Sequence, residues 1–148
     1  MNRFQLPHFI NRKEALVPSI KILLADDNDS FRCLLTSFLG AHDGVEVVGD
    51  AVDGLEAVKL AEYLHPDIVL MDLEMPVKDG FEATREIKRR MPKIRVVILS
   101  AYSSDVYRRA AREFGADGFI DKNNMKDALL ALLVEEQARR AEAVVKVA

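Results

Sequence analysis

The chain has 148 residues, 49% of them hydrophobic and 30% charged, which suits one domain around one core. Its net charge of −3 argues against a nucleic-acid footprint or an anionic-membrane binder. Cys33 is the only cysteine, so no intrachain disulfide can form, and it is expected to be a small buried helix residue.

Residues 1–18 place Arg3, Arg12, Lys13 and Glu14 between short apolar pairs, which is not the pattern of a signal peptide. No apolar run approaches about 18 residues. A cytoplasmic protein that does not span a membrane is therefore expected, with 1–18 as an N-terminal arm outside the fold.

Beyond the arm, two kinds of segment alternate. Runs of β-branched residues and leucine predict buried strands over 20–25, 45–48, 67–71, 94–99 and, weakly, 118–120. Between them, apolar residues recur at helical spacing. The predicted faces are Phe31, Leu34, Leu35, Phe38 and Leu39; Leu55, Val58, Ala61 and Leu64; Phe81, Thr84 and Ile87; Val106, Ala110 and Phe114; and Met125, Leu129, Leu132 and Leu133. Asn28, Asp29 and Ser30 are N-cap types, while Gly40, Gly115 and His65–Pro66 stand where helices should stop. The order is (βα) five times, an α/β domain with a parallel sheet covered by helices on both faces. Ligands of such sheets bind at the carboxyl ends of the strands.

Charged and polar residues gather at those ends. Asp26 and Asp27 follow the first strand, and Asp72 follows the wholly apolar third. If the first and third strands are neighbours, the three carboxylates converge. Carboxylates about 4 Å apart repel by roughly 4 kcal/mol at an effective dielectric near 20, so the cluster must protonate or recruit a cation. Mg²⁺, a hard ion with oxygen ligands, suits it. Asp26 and Asp27 also have a plainer reading as turn and capping residues. Asp72 does not, because a charge directly after an apolar strand has little structural purpose. Ser100 ends the fourth strand and Lys122 follows the fifth. Singly they read as a capping serine and a surface lysine. Together they offer a hydroxyl and an ammonium to an anion at the same edge.

The constellation resembles the receiver domain of bacterial two-component response regulators. The resemblance spans 19–133. It rests on the Asp26–Asp27 pair, Met71-Asp72-Leu73-Glu74-Met75-Pro76 with Asp79-Gly80, Ser100-Ala101, and Phe119 three residues before Lys122. It implies a doubly wound sheet in the order 2-1-3-4-5 and a phosphoryl group accepted on Asp72. The donor would be a histidine kinase or a histidine phosphotransfer protein. Mg²⁺ would be held by Asp27, Asp72 and the backbone carbonyl of Glu74, with Asp26 acting through water. Ser100 and Phe119 would switch, and Lys122 would bond the phosphoryl oxygens. The fourth helix, fifth strand and fifth helix would form the responding surface and the usual dimer face. Such a protein catalyses only its own phosphorylation and dephosphorylation.

Two departures stand out. Asn123 follows Lys122 where the family often has proline after a cis peptide. A cis bond without proline costs about 3–4 kcal/mol, so a trans or a strained loop is expected. The switch aromatic is Phe, with no hydroxyl. Glu74 and Tyr102 flank the site and should tune the access of water.

Rival readings are weaker. A haloacid-dehalogenase-like phosphatase needs Asp-x-Asp after the first strand, whereas Glu74 holds the third position here. A phosphorylation-independent interaction module does not explain the full acidic set. No Walker A loop supports a nucleotide site.

The last helix does not stop where receivers usually do. Leu130, Val134, Ala138, Ala141 and Val145 continue an apolar face. Glu135–Arg139, Glu136–Arg140 and Glu142–Lys146 are spaced as i, i+4 pairs. A helix over 124–147 is predicted, with 134–148 as an extension that is either a frayed end or a contact helix.

Overall fold

The computed structural model describes residues 18–147. The N-terminal arm, up to residue 17, lies outside the described residues. Five strands, β1 (Ile20–Ala25), β2 (Val45–Ala51), β3 (Ile68–Met71), β4 (Arg95–Ser100) and β5 (Gly118–Asp121), alternate with five α-helices. The helices are α1 (Asp29–Gly40), α2 (Gly54–Leu64), α3 (Gly80–Arg90), α4 (Asp105–Glu113) and α5 (Met125–Val147). A 3₁₀ turn, Lys122–Asn124, leads into α5. All strand pairs are parallel, in the order β2-β1-β3-β4-β5.

The predicted (βα)₅ order therefore stands, with strand ends shifted by one to three residues. The middle strand β3 is apolar throughout, and β1 and β4 are apolar except for Lys21, Arg95 and Ser100, because both of their faces are covered. On one face Val58, Ala61, Ala83, Ile87 and Ala111 of α2, α3 and α4 pack on Leu23, Val69 and Ile98. On the other, Leu35, Leu39, Leu129 and Leu133 of α1 and α5 pack on Ile22, Leu70 and Leu99. Side chains of Asn28, Asp53 and Asp79 accept from backbone N–H groups of Phe31, Glu56 and Glu82, satisfying donors that helix starts leave orphaned. α2 ends at His65 in the left-handed region (φ 49°), followed by Pro66, so the predicted stop is a real one.

Three predicted core positions face solvent instead. Leu34 is 52% exposed, Leu55 39% and Val106 72%. The inner stripe of α1 is rotated toward Arg32, which is buried beside Leu35 and Leu39. Leu34 and Cys33 lie off that stripe. Cys33 is therefore exposed, against the expectation.

α5 runs without a break for 23 residues, about 35 Å at 1.5 Å per residue, as its uninterrupted sequence predicted. The predicted face of Met125, Leu129, Leu132 and Leu133 packs on the sheet, but its predicted continuation does not. Leu130, Val134 and Val145 are 37%, 65% and 72% exposed, while Glu136 is buried. Beyond Leu133 the helix passes under the amino-terminal edge of the sheet. Arg95 donates from Nη1 to Glu136 Oε1 (2.8 Å) and from Nη2 to Glu135 Oε1 (2.9 Å). Arg140 reaches Asp67 Oδ2 (2.6 Å) and Glu136 Oε2 (3.4 Å), and donates to the carbonyl of Pro18 (3.1 Å). Of the three predicted i, i+4 pairs, Glu136–Arg140 forms. Glu135 turns to Arg95 instead, and Glu142–Lys146 is not paired among the described residues. No described helix is long and apolar enough to cross a membrane.

Candidate active site at the carboxyl edge of the sheet

Register aligns the strand ends. Ala25 pairs with Ala51 and Met71, Met71 with Ile98, and Ser100 with Asp121. The residue after each strand therefore arrives at the same edge, and Asp26, Asp27 and Asp72 meet there. One carboxylate oxygen from each lies within 4.8 Å of the others.

Each acid has a different environment. Asp26 is buried and fully engaged. Its N–H donates to the Ala51 carbonyl (3.0 Å), its Oδ1 accepts from Asn28 N–H (2.9 Å), and its Oδ2 accepts from Lys122 Nζ (2.7 Å). Asp27 is exposed and opens onto a cleft with Leu73, Glu74, Met75, Pro76, Phe81 and Tyr107. Asp72 is half-buried. Its N–H donates to Ala25 O (2.9 Å), and its Oδ1 accepts from Leu73 N–H (2.9 Å) and lies 3.3 Å from Lys122 Nζ. Both side-chain contacts fall on Oδ1. Among the described residues none is made to Oδ2.

Burial pushes the Asp72 carboxyl up to about 6; nearby Lys122 pulls it down and Asp26 pushes it up again. This site disfavours an unaccompanied negative charge and would welcome a cation. Three hard oxygen donors, one of them open to solvent, fit a small divalent ion.

Of the other predicted residues, Lys122 touches two of the acids and strand register brings Ser100 to the same edge of the sheet beside Asp121. Ser100 is buried, and its Oγ accepts from Tyr102 N–H (3.0 Å), leaving its own proton available. Lys122 also stands over the Phe31 ring, 4.3 Å from the centroid. The Lys122–Asn123 peptide is trans, as are all described peptides. Phe119 is half-buried against the core that α4 covers, with the Arg108 guanidinium 4.7 Å from its ring centroid. Arg108 Nε donates to Ser103 O (3.0 Å), so the loop that starts at Ser100 is tied to the aromatic. Glu74 borders the cleft with Asp27, and Tyr102 stacks on Tyr107 at 5.5 Å.

Sequence reading missed three supports. Gly80 starts α3 so close to Asp72 that a Cβ there would lie 2.0 Å from the Asp72 carbonyl oxygen, which explains why Asp79 is followed by glycine. Arg108 gave no signal beyond a surface helix charge. Arg32 is buried and bonds the Asp26 carbonyl from Nη1 (2.6 Å). Its place three and seven residues before Leu35 and Leu39 was the available clue.

A family model described as the response regulator receiver domain matches residues 22–134. The chain belongs to that family. Receivers are the phosphoacceptor modules of two-component signalling, and this receiver falls in that functional class. Response regulator protein VraR of Staphylococcus epidermidis is 38% identical over 134 residues, covering 86% of this chain and 63% of that protein. The receiver thus spans less than two thirds of the length of that relative. Among solved structures, the response regulator domain of Thermotoga maritima CheB superposes with a TM-score of 0.72 at 31% identity, over 84% of this chain and 97% of that one. A Borrelia burgdorferi chain from a CheX–CheY–BeF₃–Mg²⁺ complex gives a TM-score of 0.71 at 26% identity, over 86% of this chain and 97% of that one.

Proposed function

We propose that Asp72 accepts a phosphoryl group from a phosphohistidine on a kinase or phosphotransfer protein. The observation that carries this reading is the convergence of Asp26, Asp27 and Asp72 with Lys122 bridging two of them. Asp27, Asp72 and the Glu74 carbonyl would hold Mg²⁺, with Asp26 acting through water because its own oxygens are engaged. When bound, the ion supplies positive charge that neutralises the carboxylates and the phosphoryl oxygens.

Asp72 Oδ2 is the nucleophile, since Oδ1 already carries the Leu73 and Lys122 contacts. It forms a bond to phosphorus as the P–N bond to the donor imidazole breaks, and the nitrogen keeps the bonding electron pair. Lys122 then exchanges the Asp26 carboxylate for a phosphoryl oxygen. Ser100 donates its unused proton to another. Motion of Ser100 is carried along the loop to Ser103, from there to Arg108 and so to Phe119, altering the α4–β5–α5 surface. Phosphate shifts an equilibrium between two states of this loop. The receiver acts on itself once per phosphoryl group, and the changed surface is what an output domain or partner reads.

Acetyl phosphate with Mg²⁺ should add one phosphoryl group to the wild type and none to Asp72→Asn, whose amide keeps the shape but loses the nucleophile. Equal incorporation in both would refute the assignment.

A further inference from the structure

We propose that Arg32 is a positioning residue for the acidic pocket: its guanidinium fixes the main chain at Asp26–Asp27 and thereby sets metal affinity. The metal half of this inference rests on the proposed function, while the brace itself is a property of the metal-free chain.

Arg32 lies one turn into α1, with a side chain 11% exposed. Its three nitrogens point to three segments. Nη1 donates to the Asp26 carbonyl (2.6 Å), Nε to Asp50 Oδ2 (3.2 Å) at the end of β2, and Nη2 to Asp29 Oδ1 (2.5 Å) at the start of α1. The carboxylates of Asp29 and Asp50 are 85% and 56% exposed, so those pairs contribute little by themselves. The bond to Asp26 is buried. β1 ends at Ala25, so no neighbouring strand partners that carbonyl, and a buried acceptor needs a donor. The Asp26 oxygen and the Asp27 nitrogen share one rigid peptide plane. Holding the oxygen therefore holds the plane from which Asp27 leaves toward the cleft. A planar fork can serve three acceptors at fixed angles, whereas a lysine ammonium on a flexible stem cannot.

Charge and geometry predict opposite signs. A cation close to an acidic cluster opposes metal binding, so if Arg32 acted by charge its removal would tighten Mg²⁺. If it acts as a brace, removal loosens the ligand set, as losing outer supports of metal ligands generally does.

Wild type, Arg32→Lys and Arg32→Met, each with all 148 residues, are compared by NMR. In metal-free protein, amide exchange at Asn28, whose N–H is held by Asp26 Oδ1, should accelerate about tenfold or more in both variants, while exchange at Leu70 in β3 stays unchanged. Mg²⁺ titration should then give affinities weakened about tenfold in both, with the charge-retaining lysine giving no rescue. Unchanged Asn28 exchange overturns the brace, and so does Mg²⁺ binding that is equal or tighter in Arg32→Met. Acceleration at Leu70 equal to that at Asn28 would show a general loss of stability and overturn it as well. If the wild type itself binds no Mg²⁺, the proposed function fails, and the exchange comparison still decides the role of Arg32.

Discussion

Lys122 Nζ lies 2.7 Å from Asp26 Oδ2 and 3.3 Å from Asp72 Oδ1. A residue from the end of β5 thus serves as counterion to acids at the ends of β1 and β3. The ammonium neutralises part of the metal-free cluster and, in the proposed function, turns to a phosphoryl oxygen. On that proposal Asp26 would be the partner it releases, a role distinct from those proposed for Asp27 and Asp72.

Lys122→Met should destabilise the metal-free receiver by about 2–4 kcal/mol, because it strands a buried carboxylate. Mg²⁺ should restore more stability to this variant than to the wild type. Urea unfolding in EDTA and in millimolar Mg²⁺ reads both effects, and equal Mg²⁺ gains would contradict the counterion role.

Asp72 makes stability depend on pH. Its folded pKa is raised from 3.8 to about 6, so the folded state holds a proton that the unfolded chain has lost across that window. The contribution of Asp72 to stability should therefore fall as pH rises from about 4 to 6, and above that range its ionised carboxylate burdens the fold by about 3 kcal/mol. Asp72→Asn should relieve this at pH 8 in EDTA and give no gain near pH 3.5. A gain of the same size at both pH values would refute the cause.

The extension of α5 is a clasp at the edge of the sheet opposite the acids. Cutting after Leu133 removes Glu136 and Arg140 and leaves Arg95 and Asp67 without those partners. The cut chain should lose about 2–4 kcal/mol of stability yet keep Mg²⁺-dependent phosphorylation. Self-association should weaken too, since Val134 and Val145 expose apolar surface on the removed segment. Sedimentation of both chains, with and without acetyl phosphate, checks the last point. Equal dimer fractions in all four samples would remove the extension from self-association.

Val77 adopts a positive φ of 69°, a region that β-branched residues avoid, and its side chain is 76% exposed. Val77→Gly should raise stability by about 0.5–1.5 kcal/mol, the relief of strain exceeding the added chain entropy. Thermal unfolding measures it, and a lower Tm would contradict the strain.

Strand and helix order was legible because the two hydrophobic periods are strong and capping residues mark the turns. The acids, Ser100 and Lys122 were legible because each follows an apolar strand, so topology alone brings them together. Leu34 and Val106 misled because periodicity identifies a face only to within a wide arc, and a buried arginine can claim part of it. Arg32 was not legible as a support, because its main partner is a backbone carbonyl, which has no residue identity. The α5 clasp was hidden similarly. The i, i+4 spacing paired Glu136 with Arg140 correctly, but it assigned Glu135 to Arg139 and could not reveal Arg95, about 40 residues earlier in the chain, as the partner of both glutamates.

We propose that Asp72, rather than Asp26 or Asp27, carries the phosphoryl group. Borohydride reduction of protein phosphorylated by acetyl phosphate converts an aspartyl phosphate to homoserine, which peptide mass spectrometry places in the sequence. Homoserine is expected at position 72 alone, and only when Mg²⁺ was present. Homoserine at 26 or 27, or phosphoryl incorporation with none at 72, would contradict it.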